Sequence, residues 1–400
     1  MDFQHRMPEC NLSIGEKMIG GVGGLAKQWG NNILLVTEKR DMKKLGFLDE
    51  VIESIKKEGL RYTLYDKVES NPSVDIIDQG VEIARKANCN VAMALGGGSS
   101  IDTAKAIAVG TTHFLKSSGT IWDFVDVGDR EKEIPPITSK TLPIIALAST
   151  SGSGSHVTPY AVITNTKTHE KIGFASNYMF PRISIVDLRI VSKMPPSLTA
   201  ATGIDVLAHV TESFLGKGNH PTADIFSLKA MQLVAENLPQ AYENGTDVRA
   251  RSNMAIADTL AGWAITLAGN IVGHALAHPL SGHYNTAHGI TLALITPNIW
   301  DFIIEHGDEK VLGKFVYIAE ALGEKDSLPG LKRKARLAVD ALRRLLRKVG
   351  LDKRLSDYGV EKSMIETFAK DALRYMTKDV GQTPVDVTRQ DLVEILQKCM

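Results

Sequence analysis

The stretch Asn90-Val-Ala-Met-Ala-Leu95-Gly96-Gly97-Gly98-Ser99-Ser100-Ile101-Asp102-Thr103-Ala104-Lys105 decides the fold. Its first six residues are a short apolar run of the kind that forms a buried strand, and its last five begin a helical pattern. Three consecutive glycines join the two, which lets a ligand approach the backbone closely. The helix start beyond them offers unpaired N–H groups and the positive end of the helix dipole. That combination suits a phosphate. The bland alternative is a tight turn in which Ser99 or Ser100 merely caps the helix.

Outward from this loop, the first half of the chain alternates β-rich runs with helical stretches. The runs are Asn32–Thr37, Arg61–Tyr65, Asn90–Leu95, Leu142–Leu147 and Ile183–Asp187. Helical patterns fall at 49–58, 73–87 and 101–110. Such alternation predicts a parallel sheet covered by helices, with strands buried on both faces and therefore almost wholly apolar. The segment Thr111–Lys140 reads as a long irregular excursion at the sheet edge. A second small-residue loop, Thr150-Ser-Gly-Ser-Gly-Ser155, follows another strand, and two such loops at strand carboxyl ends can embrace a dinucleotide. Neither is the G-x-G-x-x-G fingerprint. Glu38, just after the first of these runs, is placed to accept hydrogen bonds from a ribose diol and to repel a 2′-phosphate, favouring NAD over NADP; its basic neighbours Lys39 and Arg40 leave NADP open.

After Met194-Pro195-Pro196 the texture becomes 3.6-periodic, predicting an α/β domain over 1–195 and an all-helical domain over 196–400. The clearest helix starts at Leu331, with Ala335, Ala338, Leu342, Leu345 and Val349 along one face before Gly350. Its other face is basic, which reads as a solvated surface rather than a site for an acidic partner.

Four of the eleven histidines, His274, His278, His283 and His288, fall within residues 274–288. Upstream, Asp205 and His209 stand four apart, so on a helix they share a face. One carboxylate with several imidazoles suits divalent iron or zinc, and a set of one Asp and three His would leave a bound ion with a net charge of about +1, able to polarise a substrate oxygen. Spacing does not say which of the four downstream histidines are ligands; His278, before Pro279, and His283, in a Ser-Gly-His-Tyr turn, are alternative proton carriers.

Composition bounds the partners. The 400 residues carry 46 Lys plus Arg against 46 Asp plus Glu, so no charge excess favours nucleic acid or an anionic membrane. The three cysteines, Cys10, Cys89 and Cys399, have no paired spacing, which leaves nitrogen and oxygen to hold any metal. No apolar run of about 18 residues and no signal-like N-terminus occurs, so the chain is expected to be cytoplasmic.

Through Gly96–Lys105, Thr150–Ser155, Leu198-Thr-Ala-Ala-Thr-Gly-Ile-Asp-Val-Leu-Ala-His209 and His274-Ala-Leu-Ala-His-Pro-Leu-Ser-Gly-His-Tyr-Asn-Thr-Ala-His-Gly289, the sequence resembles the iron-containing, metal-dependent alcohol dehydrogenases over nearly its whole length. The Ser-Gly-His-Tyr form is similar to the butanol-dehydrogenase-like branch. The resemblance implies the dehydroquinate synthase-like fold, an α/β dinucleotide-binding domain followed by an all-α domain. It implies NAD or NADP, one divalent metal (Fe²⁺, or Zn²⁺), a small alcohol or aldehyde substrate, and a homodimer or larger homo-oligomer. It places the metal on Asp205, His209, His274 and His288, a proton relay on His278, and the cofactor on Gly97, Gly98, Ser99, Asp102, Thr150 and Lys171, with Asn71 and Glu38 as further positions. The sequence departs from the family pattern at His156, where Glu is common, at Val380-Gly-Gln-Thr-Pro384, and at Glu38, where Asp is usual. Rival readings on the same fold are a zinc glycerol or polyol dehydrogenase and a dehydroquinate synthase-like lyase; a non-catalytic sensor is the different-class alternative.

Overall fold

The computed structural model describes residues 10–114, 119–128, 133–218, 220–325 and 329–400. The described residues separate into two compact units, one up to Met194 and one from Pro195 onward.

The first unit is built on eight strands: β1 Asn11–Gly15, β2 Asn32–Glu38, β3 Arg61–Val68, β4 Val91–Gly96, β5 Ile144–Ala148, β6 Tyr160–Asn165, β7 Glu170–Ala175 and β8 Ile183–Asp187. Six of them form a wholly parallel sheet in the order β1-β8-β5-β4-β2-β3. The interior strands are buried along almost their whole length, as their unbroken apolar runs require, whereas β1 and β3 are half exposed at the two edges. On one face Ile33, Leu35, Met93, Leu95, Ile145, Leu147 and Ile185 share a core with the helix Phe47–Lys57. The alternate positions Ala92, Ala94 and Ala146 point the other way, and their small side chains leave room for the helix Gly98–His113, which packs on β2, β4 and β5.

The structure adds three strands to the five read from sequence. β1 is a short edge strand with only Leu12 and Ile14 as apolar residues, too weak a pattern to stand out. β6 and β7 form a separate antiparallel hairpin, turned at Thr166–His169 with His169 at φ +59°. The strand expected from Leu142 begins instead at Ile144, because Pro143 has no N–H to give the ladder; its carbonyl accepts from the Ala92 N–H. In the expected excursion the helix runs on to His113, and Ile121–Phe124 makes a short turn tied down by Asp78, which accepts from Thr120 Oγ1 and from the Ile121 N–H; residues 115–118 and 129–132 lie outside the described residues.

Among the described residues from Pro195 onward there are helices and no strands. Pro196 opens the first of them, Pro196–Leu215, at a position where a missing N–H costs nothing. The helix Leu331–Lys348 buries Ala335, Ala338, Leu342 and Leu345 as its spacing predicts, but Leu331 is 38% exposed because it lies in the first turn, before the helix meets its neighbours. Its basic face is occupied by ion pairs within the chain: Lys332 and Arg336 with Glu305, Arg343 with Asp301 and Arg344 with Glu324.

Candidate metal centre and dinucleotide loops

In the sheet, β2 is flanked by β3 on one side and β4 on the other, so the chain order reverses at β2 and leaves a crevice at the strand carboxyl ends. The Gly96–Gly98 turn follows β4, the Thr150–Ser155 loop follows the adjacent β5, and Glu38 ends β2. The two loops pack together tightly: a Cβ on Gly98 would stand 2.6 Å from Ser153 Oγ, and one on Gly97 would stand 3.0 Å from Thr150 Oγ1. The helix starts at Gly98, earlier than its pattern suggested, with Gly97 as the cap residue and no side-chain cap. Ser99 and Ser100 therefore lie inside the first turn, which removes the reading in which either serves as the cap.

Asp102, expected on the cofactor, is engaged within the protein. It accepts from Ser155 Oγ at 2.5 Å and from the Val162 N–H at 3.0 Å, tying the glycine-loop helix to the second loop and to β6. Burial raises its pKa, opposed by the charges of Lys105 and Lys171. Lys171 is itself buried on β7, so the hairpin brings two expected positions, Asp102 and Lys171, into one neighbourhood. Glu38 likewise has a local partner set: Oε2 accepts from the N–H groups of Arg40 (2.6 Å) and Asp41 (2.9 Å), and Oε1 from Met42 (2.7 Å). Asn71, at φ +51°, lies just beyond the carboxyl end of β3, in a conformation that asparagine tolerates.

Lys105, which closes the sequence motif without a role, is fully buried. Its ammonium donates to the carbonyls of Ser155 (2.8 Å), Thr158 (2.9 Å) and Tyr160 (2.7 Å) and to Ser155 Oγ (2.9 Å), which lashes the helix to the loop. The available signal was a lone lysine in an otherwise apolar helical run.

His156 is also buried, and burial with the nearby Lys105 charge lowers its pKa from 6.5 to about 3. An unfolded chain therefore takes up a proton here that the folded chain refuses. The sign follows: this contribution is present above pH 6.5 and is lost as the pH falls toward 3. At pH 4.5 the loss reaches about 2–3 kcal/mol at most. Urea unfolding of wild type and His156→Gln at pH 7.0, 5.5 and 4.5 checks this; the wild type should lose more stability than the variant, and parallel losses would place the acid sensitivity elsewhere.

The second unit carries the histidines. Asp205 and His209 sit one turn apart on the helix Pro196–Leu215, His274 and His278 one turn apart on Val272–Tyr284, and His288 opens the helix His288–His306. Donor atoms of Asp205, His209 and His274, all three buried, lie within 4.8 Å of one another. The His209 and His274 rings stack at 4.6 Å between centroids. His288 adjoins the group, with Nε2 4.0 Å from Asp205 Oδ1 and its ring 5.1 Å from that of His274. His278 meets His288 edge to face at 5.4 Å. One carboxylate and three imidazoles with no sulfur is a donor set that fits divalent iron or zinc.

Spacing left the roles of the downstream histidines open, and the structure separates them. His283 is in the last turn of a helix rather than in a turn, and it points to Asp371, with Nε2 3.4 Å from Oδ2. Glu212, three residues beyond His209, lies 3.0 Å from His274 Nδ1 and was not singled out by its sequence position.

Sequence models of known families match both parts of the chain. That of the iron-containing alcohol dehydrogenases matches residues 10–188, and that of the C-terminal part of the Fe-containing alcohol dehydrogenase family matches 199–400. The chain is 32% identical to the NAD-dependent methanol dehydrogenase of Bacillus methanolicus, over 97% of each chain. It is 34% identical to the 1,3-propanediol dehydrogenase of Citrobacter freundii, over 93% of this chain and 92% of that one. Among solved structures, the archaeal halo-thermophilic alcohol dehydrogenase ADH/D1 from a Red Sea brine pool superposes with a TM-score of 0.97 at 44% identity, covering 100% of this chain and 99% of that one.

Proposed function

The chain belongs to the iron-containing alcohol dehydrogenase family, and from that premise we propose that it interconverts a small alcohol and its aldehyde or ketone by hydride exchange with NAD. The observation that carries this reading is the convergence of buried Asp205, His209 and His274 donors within 4.8 Å. With His288 beside them, these residues would hold one divalent ion. When bound, that ion supplies Lewis-acid polarisation of the substrate oxygen.

The chain's own residues do the remaining work. His278, buried and edge-on to His288, is placed to carry the alcohol proton away from the centre. The first-turn amides behind Gly97 and Gly98, together with Ser99 and Thr150, receive the dinucleotide phosphates, and Lys171 with Asn71 completes the cofactor contacts. Asp102 and Lys105 hold these loops in register. Glu38, whose carboxyl oxygens are anchored on three backbone amides at the end of β2, favours NAD over NADP.

The named activities of the relatives span methanol and 1,3-propanediol, which supports a short primary alcohol as substrate. Family likeness also supports a homodimer or larger homo-oligomer and a cytoplasmic location; light scattering and cell fractionation test these two. No single helix among the described residues is long and apolar enough to cross a membrane.

The deciding experiment strips the metal, restores Fe²⁺ or Zn²⁺ anaerobically in separate samples, and follows nicotinamide absorbance with NAD and NADP across short alcohols and aldehydes. Turnover should return with metal and be higher with NAD. Confirmed binding of metal and dinucleotide without turnover of any alcohol would overturn the dehydrogenase reading in favour of a lyase or sensor.

A further inference from the structure

Asp205, His209 and Glu212 recur along the helix Pro196–Leu215 at a spacing that puts all three on one face. Glu212 is buried, and its Oε2 serves the start of the second histidine-bearing helix. It accepts from the N–H of Ile271 at 2.8 Å and of His274 at 3.3 Å, and it lies 3.0 Å from His274 Nδ1. The approach is so close that a Cβ added to Gly273 would stand 2.2 Å from Oε1. A single carboxylate thus holds the backbone on which His274 stands and adjoins its ring.

We infer that Glu212 is a positioning residue for metal binding: by accepting from the N–H groups of Ile271 and His274 it fixes the start of the second histidine-bearing helix, and with it the place of His274 beside Asp205 and His209. The physical basis is general. Groups outside the ligand set that fix where a ligand stands control metal affinity as well as geometry. The inference rests on the proposed metal centre and extends it by one residue.

The test titrates Zn²⁺ and Co²⁺ into metal-free wild type, Glu212→Gln, Glu212→Ala and Asp205→Asn, reading affinity by competition with a chromophoric chelator and geometry from the visible absorption of bound Co²⁺. Glu212→Ala should bind 10- to 100-fold more weakly, on the order expected for loss of such a partner, with a changed Co²⁺ spectrum at saturation. Glu212→Gln keeps one acceptor oxygen for the amides but puts an NH2 group where the second oxygen stood, so it should fall between Ala and wild type. A structural role alone would lower the melting temperature and leave the affinity and the spectrum of the folded protein unchanged, and that result overturns the inference. Should Glu212→Ala fail to fold, a Gln variant with wild-type affinity and spectrum overturns it equally. Asp205→Asn separates the two levels: if wild type and Asp205→Asn bind alike, the metal centre itself is misplaced and the inference falls with it.

Discussion

Replacing His274 with alanine is expected to abolish tight metal binding and to lower turnover by about 10³-fold or more. The estimate follows from the several kcal/mol that a Lewis acid contributes to the transition state and from about 1.4 kcal/mol per factor of ten in rate. His274 is tied to several neighbours. Its ring stacks on His209, meets His288 edge to face, and adjoins Glu212. Removing it takes away a donor and leaves Asp205 and His209, both on one helix, without their partner from the second. The loops proposed to hold the dinucleotide lie in the other unit, so NADH binding measured by fluorescence should survive. Metal content by elemental analysis and single-turnover rates with a short aldehyde check the prediction. A variant that keeps both its metal and its rate would remove His274 from the ligand set.

Alanine at Gly289 is expected to be nearly as damaging although it deletes nothing. A Cβ at this position would stand 1.9 Å from the carbonyl oxygen of Ala201 and 2.6 Å from its carbon, with Asp205 Cβ at 3.3 Å. The two nearest atoms are backbone in the middle of a helix, so no flexible side-chain end can yield, and the helices must part. Overpacking of this kind costs about 1–3 kcal/mol and sometimes more, which corresponds to a fall in Tm of roughly 3–8 °C. The chemical consequence comes from location. Gly289 follows His288, and Ala201 lies one turn before Asp205, so separating the helices carries His288 away from the carboxylate 4.0 Å from its Nε2. Calorimetry and metal titration should show lower stability together with weaker metal binding. Unchanged values for both would mean that the helix contact relaxes without moving the centre.

The motifs that carry chemistry were legible because each is local. A strand buried on both faces must be apolar, so β2, β4, β5 and β8 could be read directly, while the edge strand β1 and the hairpin β6–β7 could not. The glycine loop was legible from its composition, but the use of Asp102 was not. Its partners, Ser155 and Val162, are more than fifty residues away, and only the packing of the hairpin brings them to it. Glu38 shows the same limit at short range: its position after a strand could be read, but not its three hydrogen bonds to the turn that follows.

For the metal centre, the sequence alone determined the donor chemistry and the pairing of donors within each helix. A helix repeats every 3.6 residues, so Asp205 with His209, and His274 with His278, follow from spacing. Only the tertiary structure decided which pairs face each other: it turned His274 and His288 toward Asp205, gave His283 to Asp371, and put Glu212 behind His274. The reason is physical. Helical periodicity fixes directions about one axis, whereas convergence depends on how separate axes cross. Here the helices approach closely at Gly289, and Glu212 reaches from one histidine-bearing helix to the start of the next; neither partner can be read from spacing along a single helix.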